Sequence, residues 1–176
     1  MIEQRDLAKR FSELRHAFDT TFAEPHVDRD HAPEKFLAVR SQGSRLAFRL
    51  SEIAGVAVDR KLTRLPSPVP ELIGLTGIRG RLVPVYSLAA LLGLAVESDA
   101  VRWLVLVADG RIALATSGVD SYLFGHAQDL VASSLRDDPC PETLTVAGGS
   151  YGVVAVPSLV KQISERVAQM RPPQEQ

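Results

Sequence analysis

The sequence LIGLTGIRGRLVPVYSL, residues 72–88, decides the fold, because it joins a glycine-rich segment to a run typical of a β-strand. Gly74, Gly77 and Gly80 recur at intervals of three, and Arg79 is a charge that looks buried in the most apolar part of the chain. A phosphate-binding loop needs backbone N–H groups at the start of a helix, and here a strand follows instead. These glycines therefore favour a surface shaped for another protein over a nucleotide-binding site.

Composition narrows the class of protein. The chain has 176 residues, of which 45% are hydrophobic and 23% charged, so it can form one compact domain or two small subdomains that share a core. Its net charge of −1, its pI near 6.4 and an expected lack of paired exposed aromatic residues argue against binding of nucleic acid. Cys140 is the only cysteine, which excludes an internal disulfide and a cysteine zinc cluster.

The cytoplasm is the expected location. The opening sequence MIEQRDLAKR contains no apolar segment of the kind that a secretory signal requires. The longest largely apolar run, residues 85–96, is too short to span a bilayer. We therefore expect no direct insertion into a membrane.

Residues 2–22 are predicted to form an amphipathic helix that differs in character from the rest of the chain. An apolar stripe recurs at helical spacing and includes Leu7, Phe11, Leu14 and Phe18. This helix could pack on the folded domain, pair in a homodimer or bind a partner protein. A polar linker follows, so we divide the chain into a helix and linker at 1–35, a domain at 36–160, and a helix and tail at 161–176.

From Phe36 onward the pattern predicts short β-strands. Hairpins are expected at SQGS, at Asp109-Gly110 and at Gly148-Gly149, and VAVDRKLTRL (56–65) is expected to be one strand. Ser87 is placed as the N-cap of a short helix that Gly93 ends. An amphipathic helix over residues 158–170 closes the chain.

The chain also repeats itself at an offset of about 66 to 71 residues. The sequence RLAFRLSEI (45–53) matches RIALATSGV (111–119) in apolar pattern, and VPVYSL (83–88) shares V-x-V-x-S-L with VAVPSL (154–159). A repeat at one offset indicates two related halves. We therefore predict a mainly β protein of two five-stranded β-barrel subdomains, each followed by a helix.

No group of residues predicts catalysis or a cofactor. The four histidines lack metal-ligand spacing, and Asp137-Asp138 is typical of a turn. Ser117 lacks the glycines that flank a nucleophilic serine, and Cys140 lies between two prolines with no histidine nearby in sequence. The sequence thus favours a binding protein that is not an enzyme and holds neither a metal ion nor a cofactor.

Residues 72–94, LIGLTGIRGRLVPVYSLAALLGL, resemble the signature of the CheW-like domain family, the coupling proteins of bacterial chemosensory arrays. The resemblance extends over about residues 36–160. It implies two SH3-like five-stranded barrels that share a core, and no catalytic activity. It also implies two partners, namely the regulatory domain of a CheA-type histidine kinase, which has the same fold, and the cytoplasmic tip of a chemoreceptor.

The same resemblance implies which residues meet these partners. Ile53, Val56, Gly74 and Gly80 would flank the receptor groove, Arg79 would be a multidentate anchor, and the glycines, Gly77 among them, would let a helical partner approach the backbone. Other interpretations stay open. Ile53 and Val56 could belong to the core, Gly77 and Gly80 could serve only a tight hairpin, and Arg79 could pack across a barrel end.

The chain departs from the family pattern at three positions. Gly77 replaces the usual asparagine, Ser87 the usual aspartate, and Gly55 a common glutamate that could pair with Arg79. These differences suggest a coupling protein of an alternative chemosensory system. A related alternative is a protein that binds only receptor or only kinase and modulates or insulates the pathway. Two more distant ones are a nucleic-acid module and an enzyme that uses Ser117, Cys140 or His126.

Overall fold

The computed structural model describes residues 32–95, 101–134, 138–146 and 148–169. The chain divides into two units, Met1–Ala32 and Pro33–Gln176, and the account below concerns the second. The predicted N-terminal helix, with Leu7, Phe11, Leu14 and Phe18, lies outside the described residues. Its existence and its three possible roles stay predictions.

The described part of the second unit contains twelve strands and two α-helices, together with short 3-10 turns at Leu50–Glu52 and Ala127–Asp129. The first half holds β1 (Glu34–Ser41), β2 (Ser44–Arg49), β3 (Ile53–Val58), β4 (Leu62–Arg64), β5 (Leu72–Ile78), β6 (Arg81–Ser87) and α1 (Leu88–Leu91). The second half holds β7 (Trp103–Val107), β8 (Ile112–Thr116), β9 (Gly118–Gly125), β10 (Leu130–Ala132), β11 (Glu142–Val146), β12 (Gly149–Val153) and α2 (Val156–Gln169).

These strands form two six-stranded sheets, each of which draws on both halves of the chain. Sheet 1 has the order β10-β11-β12-β2-β1-β9, and sheet 2 has the order β4-β5-β6-β8-β7-β3. The pairs β12–β2 and β6–β8 are parallel, while the other neighbouring strands are antiparallel. The protein is thus mainly β, as the sequence predicted.

The sheet orders confirm the internal repeat. When the two strand orders are aligned, the strands at each position have numbers that differ by six, as β10 and β4 do at the first position. The parallel pair β12–β2 of sheet 1 then aligns with the parallel pair β6–β8 of sheet 2. The alignment of VPVYSL with VAVPSL was wrong, because its offset of 71 residues is three more than the offset in the structure. β6 begins at residue 81 and β12 at residue 149, an offset of 68, so that buried Leu88 corresponds to buried Val156.

Each sheet must curl, because its two edge strands are joined by a short connection. β3 and β4 lie at opposite edges of sheet 2, which would be about 24 Å apart if the sheet were flat. Only three residues, 59–61, join them, and these span at most about 15 Å. β9 and β10 impose the same condition on sheet 1 with four residues. The finer expectation of five-stranded SH3-like barrels stays a prediction.

Most local predictions are confirmed. The hairpins form at Gln42-Gly43 and Asp109-Gly110, and the Ser87 hydroxyl accepts a hydrogen bond from Ala90 N at 3.2 Å. The third hairpin, β11–β12, also forms, but Val146 pairs with Gly149, so Gly149 belongs to β12 and not to the turn. The single strand expected over residues 56–65 was wrong. The backbone turns at Asp59, where φ is +50°, and sends β3 and β4 to opposite edges of sheet 2.

One buried cluster joins the two sheets and both helices. It includes Leu37 and Phe48 from sheet 1, Val105 and Leu114 from sheet 2, and Leu159 from α2. Alternating apolar residues on each strand supply these side chains, while smaller clusters fill the interior of each sheet. The two halves therefore share a core. α2 begins before the boundary placed at residue 160, and the proposed division into domains stays a prediction.

A buried ion pair fastens α2 to sheet 2. Glu71 precedes β5 and is 5% exposed, and its carboxylate pairs with the guanidinium of Arg166 near the end of α2. The Glu71 carbonyl also accepts a hydrogen bond from Ser87 N at 2.8 Å. Among the described residues, no helix has both the length and the apolar character needed to cross a bilayer.

We expect Glu71→Gln to lower the free energy of unfolding by about 1–2 kcal/mol, because it removes the charge from a buried partner of Arg166 while keeping the side-chain volume. Glu165→Gln on the same helix is the matched control. Its pair with Lys161 is exposed, so the expected change is below about 0.5 kcal/mol. Urea unfolding followed by circular dichroism measures both, and equal effects would contradict the anchoring role.

Candidate interaction site

Arg79 and Gly80 are the two residues of the tight turn between β5 and β6. Ile78 pairs with Arg81 across this turn, and φ is +49° at Arg79 and +75° at Gly80. Positive φ at both positions is typical of a type I′ hairpin, which favours glycine at the second position. The turn places Arg79 at the tip of the hairpin and exposed to solvent, so its buried appearance in the sequence was misleading.

Gly74 has a structural role within sheet 2. A Cβ at this position would lie 2.2 Å from the carbonyl oxygen of Thr63, which belongs to the neighbouring strand β4. Gly74 is buried, and it sits beside an irregularity in the pairing of β5 with β6. The close approach of two backbones therefore explains the glycine without any partner.

Gly77 differs from Gly74, because no described residue lies close enough to require a glycine there. A Cβ at Gly77 would meet no atom within 4 Å, and the residue is exposed. Its neighbour across the hairpin is Leu82, which is 77% exposed. Together they form a shallow apolar site on the hairpin. A direct contact of Gly77 with a partner stays a prediction.

Ile53 and Val56 lie on β3, the edge strand of sheet 2. Ile53 is half-buried and packs against the shared core, whereas Val56 is 36% exposed and points outward with Val58. Gly74, Gly77, Arg79 and Gly80 share the β5–β6 hairpin, which is separated from β3 by β4 on one side and by β8 and β7 on the other. The structure thus places the predicted residues in two groups on one sheet.

A second exposed surface was missed in the sequence. Tyr122 and Phe124 on β9 are 64% and 58% exposed, and Val131 on β10 is exposed as well. In the repeat, Tyr122 corresponds to Val56 and Phe124 to Val58. The residues of β1 that pair with Tyr122 and Phe124 are equivalent to the residues of β7 that pair with Val56 and Val58. The repeat offset of 66, applied to Val56, would have indicated Tyr122. We call Tyr122, Phe124 and Val131 the β9 surface.

The β9 surface overturns one premise of the sequence analysis. Tyr122 and Phe124 alternate along β9 and face the same way, so the chain does carry a pair of exposed aromatic residues. The prediction that the chain does not bind nucleic acid is therefore no longer supported by a lack of exposed aromatic residues. It is still supported by the acidic pI and by Asp120, which lies near Tyr122 in sequence and pairs with Arg40 at 2.8 Å.

The residues considered for catalysis lie apart. Ser117 and His126 flank opposite ends of the eight-residue strand β9. Ser117 accepts a hydrogen bond from Gln42 N at 3.2 Å, while His126 begins a 3-10 turn and its N–H donates to Asp129 at 2.8 Å. These bonds give both residues ordinary roles in turns. Across the four described segments, no group of three or more His, Cys, Asp or Glu residues could hold a metal ion.

Cys140 is held in a turn beside the core. Asp138 accepts hydrogen bonds from Cys140 N at 2.9 Å and from the Ser133 hydroxyl at 2.7 Å, which is the turn chemistry expected of this aspartate. Burial, with a smaller contribution from the charge of Asp138, raises the pKa of the Cys140 thiol to about 11. A raised pKa disfavours the thiolate, the reverse of what a catalytic cysteine needs.

Comparison with known proteins gives one family and one fold. The family model described as CheW-like domain matches residues 35–132. Among solved structures, the chain is similar to the scaffolding protein TtCheW from Thermoanaerobacter tengcongensis, with a TM-score of 0.62 and 12% sequence identity over 69% of this chain and 88% of that one. No curated protein matches the sequence.

We expect Gly74→Ala to lower the free energy of unfolding by about 2–3 kcal/mol, because the added methyl group would collide with the β4 backbone. Gly77→Ala should change it by less than about 0.5 kcal/mol, since the space beside Gly77 is open. Thermal and urea unfolding measure both variants. A stable Gly74→Ala protein would show that β4 can move aside.

We expect the native thiol of Cys140 to react slowly with iodoacetamide at pH 8. A pKa near 11 instead of 9.0 reduces the thiolate fraction about a hundredfold at that pH. Mass spectrometry should therefore find alkylation at least tenfold slower in the folded protein than in urea, and the native rate should still rise between pH 9 and 10. Equal rates in both states would contradict the burial of the thiol.

Proposed function

Because this chain belongs to the CheW-like domain family, we propose that it is a non-catalytic adaptor that links a chemoreceptor to a CheA-type histidine kinase. Scaffolding proteins of this family couple receptors to that kinase, and the fold of TtCheW is shared over most of its length. The adaptor acts in the cytoplasm, where the receptor tip and the kinase are found.

The observation that carries this proposal is the presence of two exposed surfaces at equivalent positions of the two sheets. On sheet 2, Val56 and Val58 project from β3, with the Arg79 turn on the same sheet. On sheet 1, the β9 surface presents two aromatic rings and a valine. Groups of exposed apolar residues are typical of binding surfaces. An adaptor needs two such surfaces, so that it can bind both partners at the same time.

We assign the receptor tip to sheet 2. Val56, Gly77, Arg79 and Gly80 are exposed or lie in the exposed turn, where a helical partner can approach the backbone. Arg79 forms no ion pair with any described residue, so its five donors are available to a carboxylate. Gly74 and Ile53 support this surface from within. Gly74 allows β4 to approach closely, and Ile53 packs against the core.

We assign the regulatory domain of the kinase to the β9 surface. Tyr122 and Phe124 supply large rigid side chains, which are the usual anchors of protein–protein interfaces. The two assignments leave the partners on different sheets, so that both can bind at once. If only one surface binds, the protein would instead modulate or insulate the pathway, which is the alternative function.

The test is a pull-down from the native cytoplasm with three proteins in parallel: wild type, Arg79→Glu and the double variant Tyr122→Ser/Phe124→Ser. We expect wild type to recover a methyl-accepting receptor and a histidine kinase. Arg79→Glu should lose at least 90% of the receptor, and the double variant at least 90% of the kinase. Quantitative mass spectrometry measures the recovered proteins.

Two matched controls separate binding from folding. Arg45→Glu reverses an exposed charge on β2 of sheet 1, and Val167→Ser removes an exposed apolar side chain from α2. Both should recover receptor and kinase as wild type does. Recovery of a single partner by wild type would favour the modulator. Recovery of neither by a folded protein would refute the proposed function.

A further inference from the structure

A cluster of cations occupies the end of sheet 2 that holds the Arg79 turn. Two cations lie in the connection between β3 and β4, and two lie in or just after the β5–β6 turn. All four are exposed. We call this cluster the basic end; it consists of Arg60, Lys61, Arg79 and Arg81.

Strand pairing brings these two segments together. Leu62, at the start of β4, pairs with Thr76 on β5, and the Thr76 hydroxyl donates to the carbonyl of Lys61 at 2.9 Å. The β3–β4 connection therefore lies beside the last residues of β5, which lead into the Arg79 turn. The backbone of sheet 2 thus gathers the cations, although they are spread over residues 60–81.

The positive charge of the basic end is not balanced by its described neighbours. Asp59 is the one carboxylate in these two segments, and it pairs with Arg102, outside the cluster, at 3.1 Å. The side chains of Arg60, Lys61 and Arg79, like that of Arg81, form no ion pair with the described residues. Because the whole chain carries a net charge of −1, this excess is local.

The fold itself does not require these cations. The equivalent end of sheet 1 has the same strand arrangement, and there Arg81 is matched by Gly149. The connection between β9 and β10 carries His126 and Asp129 in place of a basic pair. Like charges in proximity repel each other, so the cluster is a local cost that a binding partner can offset.

An apolar patch adjoins the cations. Leu82 follows Arg81 and is 77% exposed, and Gly77 opposite it leaves the space beside its side chain open. A phosphate backbone has no apolar side chain to bury against such a patch, whereas a protein segment does. The acidic pI of the chain also disfavours a long polyanion.

We propose that the basic end docks an acidic protein segment whose carboxylates flank an apolar side chain that packs between Leu82 and Gly77. The proposal rests on the proposed function, since it names the chemistry of the partner that binds sheet 2. The carboxylates pair with the exposed guanidinium and ammonium groups, and the contact with Leu82 sets the position of the segment. Binding is then strongly dependent on ionic strength, because the pairs are exposed.

The test measures binding of a fluorescent helical peptide built from glutamate and leucine to the full chain. We expect binding at 50 mM NaCl that weakens at least tenfold at 300 mM NaCl. Replacement of Arg60, Lys61, Arg79 and Arg81 by glutamine should weaken it at least tenfold. Leu82→Ser should weaken it severalfold and leave the salt dependence unchanged.

The matched control replaces Lys35, Arg40, Arg45 and Lys161 by glutamine, which changes the net charge equally on sheet 1 and α2 and should leave peptide binding within twofold. Equal loss in both variants would overturn the proposal, as would tighter binding of a 20-base-pair duplex DNA or of phosphatidylserine vesicles. If the peptide binds as expected but no receptor is recovered, the docking site stands and the proposed function fails. If the receptor is recovered equally by wild type and the basic-end variant, the docking proposal fails and the proposed function stands.

Discussion

The exchange of strands between the two halves is the constraint on which the rest of the structure depends. β6 lies parallel to β8, and β12 lies parallel to β2, so neither half completes a sheet from its own strands. Each sheet is therefore completed only by backbone hydrogen bonds that cross between the halves. The shared cluster around Leu37, Val105 and Leu159 follows from this arrangement, and it makes the two halves one folding unit.

The same exchange determines where binding surfaces can lie. β3 and β9 are edge strands, and each pairs with the first strand of the other half; their outward-facing residues are exposed. The two halves share a backbone plan and differ in side chains. Sheet 2 has small aliphatic residues, an open glycine and a basic end, whereas sheet 1 has Tyr122 and Phe124. A duplicated fold with divergent surfaces suits a protein that joins two different partners.

Local signals in the sequence were reliable where one or two residues decide the backbone. Gly43 and Gly80 mark type I′ turns, and Ser87 marks the start of a helix, because turn and cap chemistry act within four residues. The break of VAVDRKLTRL into β3 and β4 was missed, although three polar residues, 59–61, interrupt its apolar alternation, because only the curling of sheet 2 requires a turn at Asp59. The exposure of Arg79 was likewise hidden by its apolar neighbours in sequence.

The sequence by itself determined the family, the repeat, the mainly β class and the hairpins, because periodicity and turn residues act over short distances along the chain. Only the tertiary structure decided what each site residue does. Gly74 is a glycine because Thr63 lies against it, and Gly77 has no such neighbour. Arg60 and Arg79 become part of one basic end because β4 and β5 pair there. Exposure and proximity depend on which strands pair, and strand pairing is not written in any local pattern.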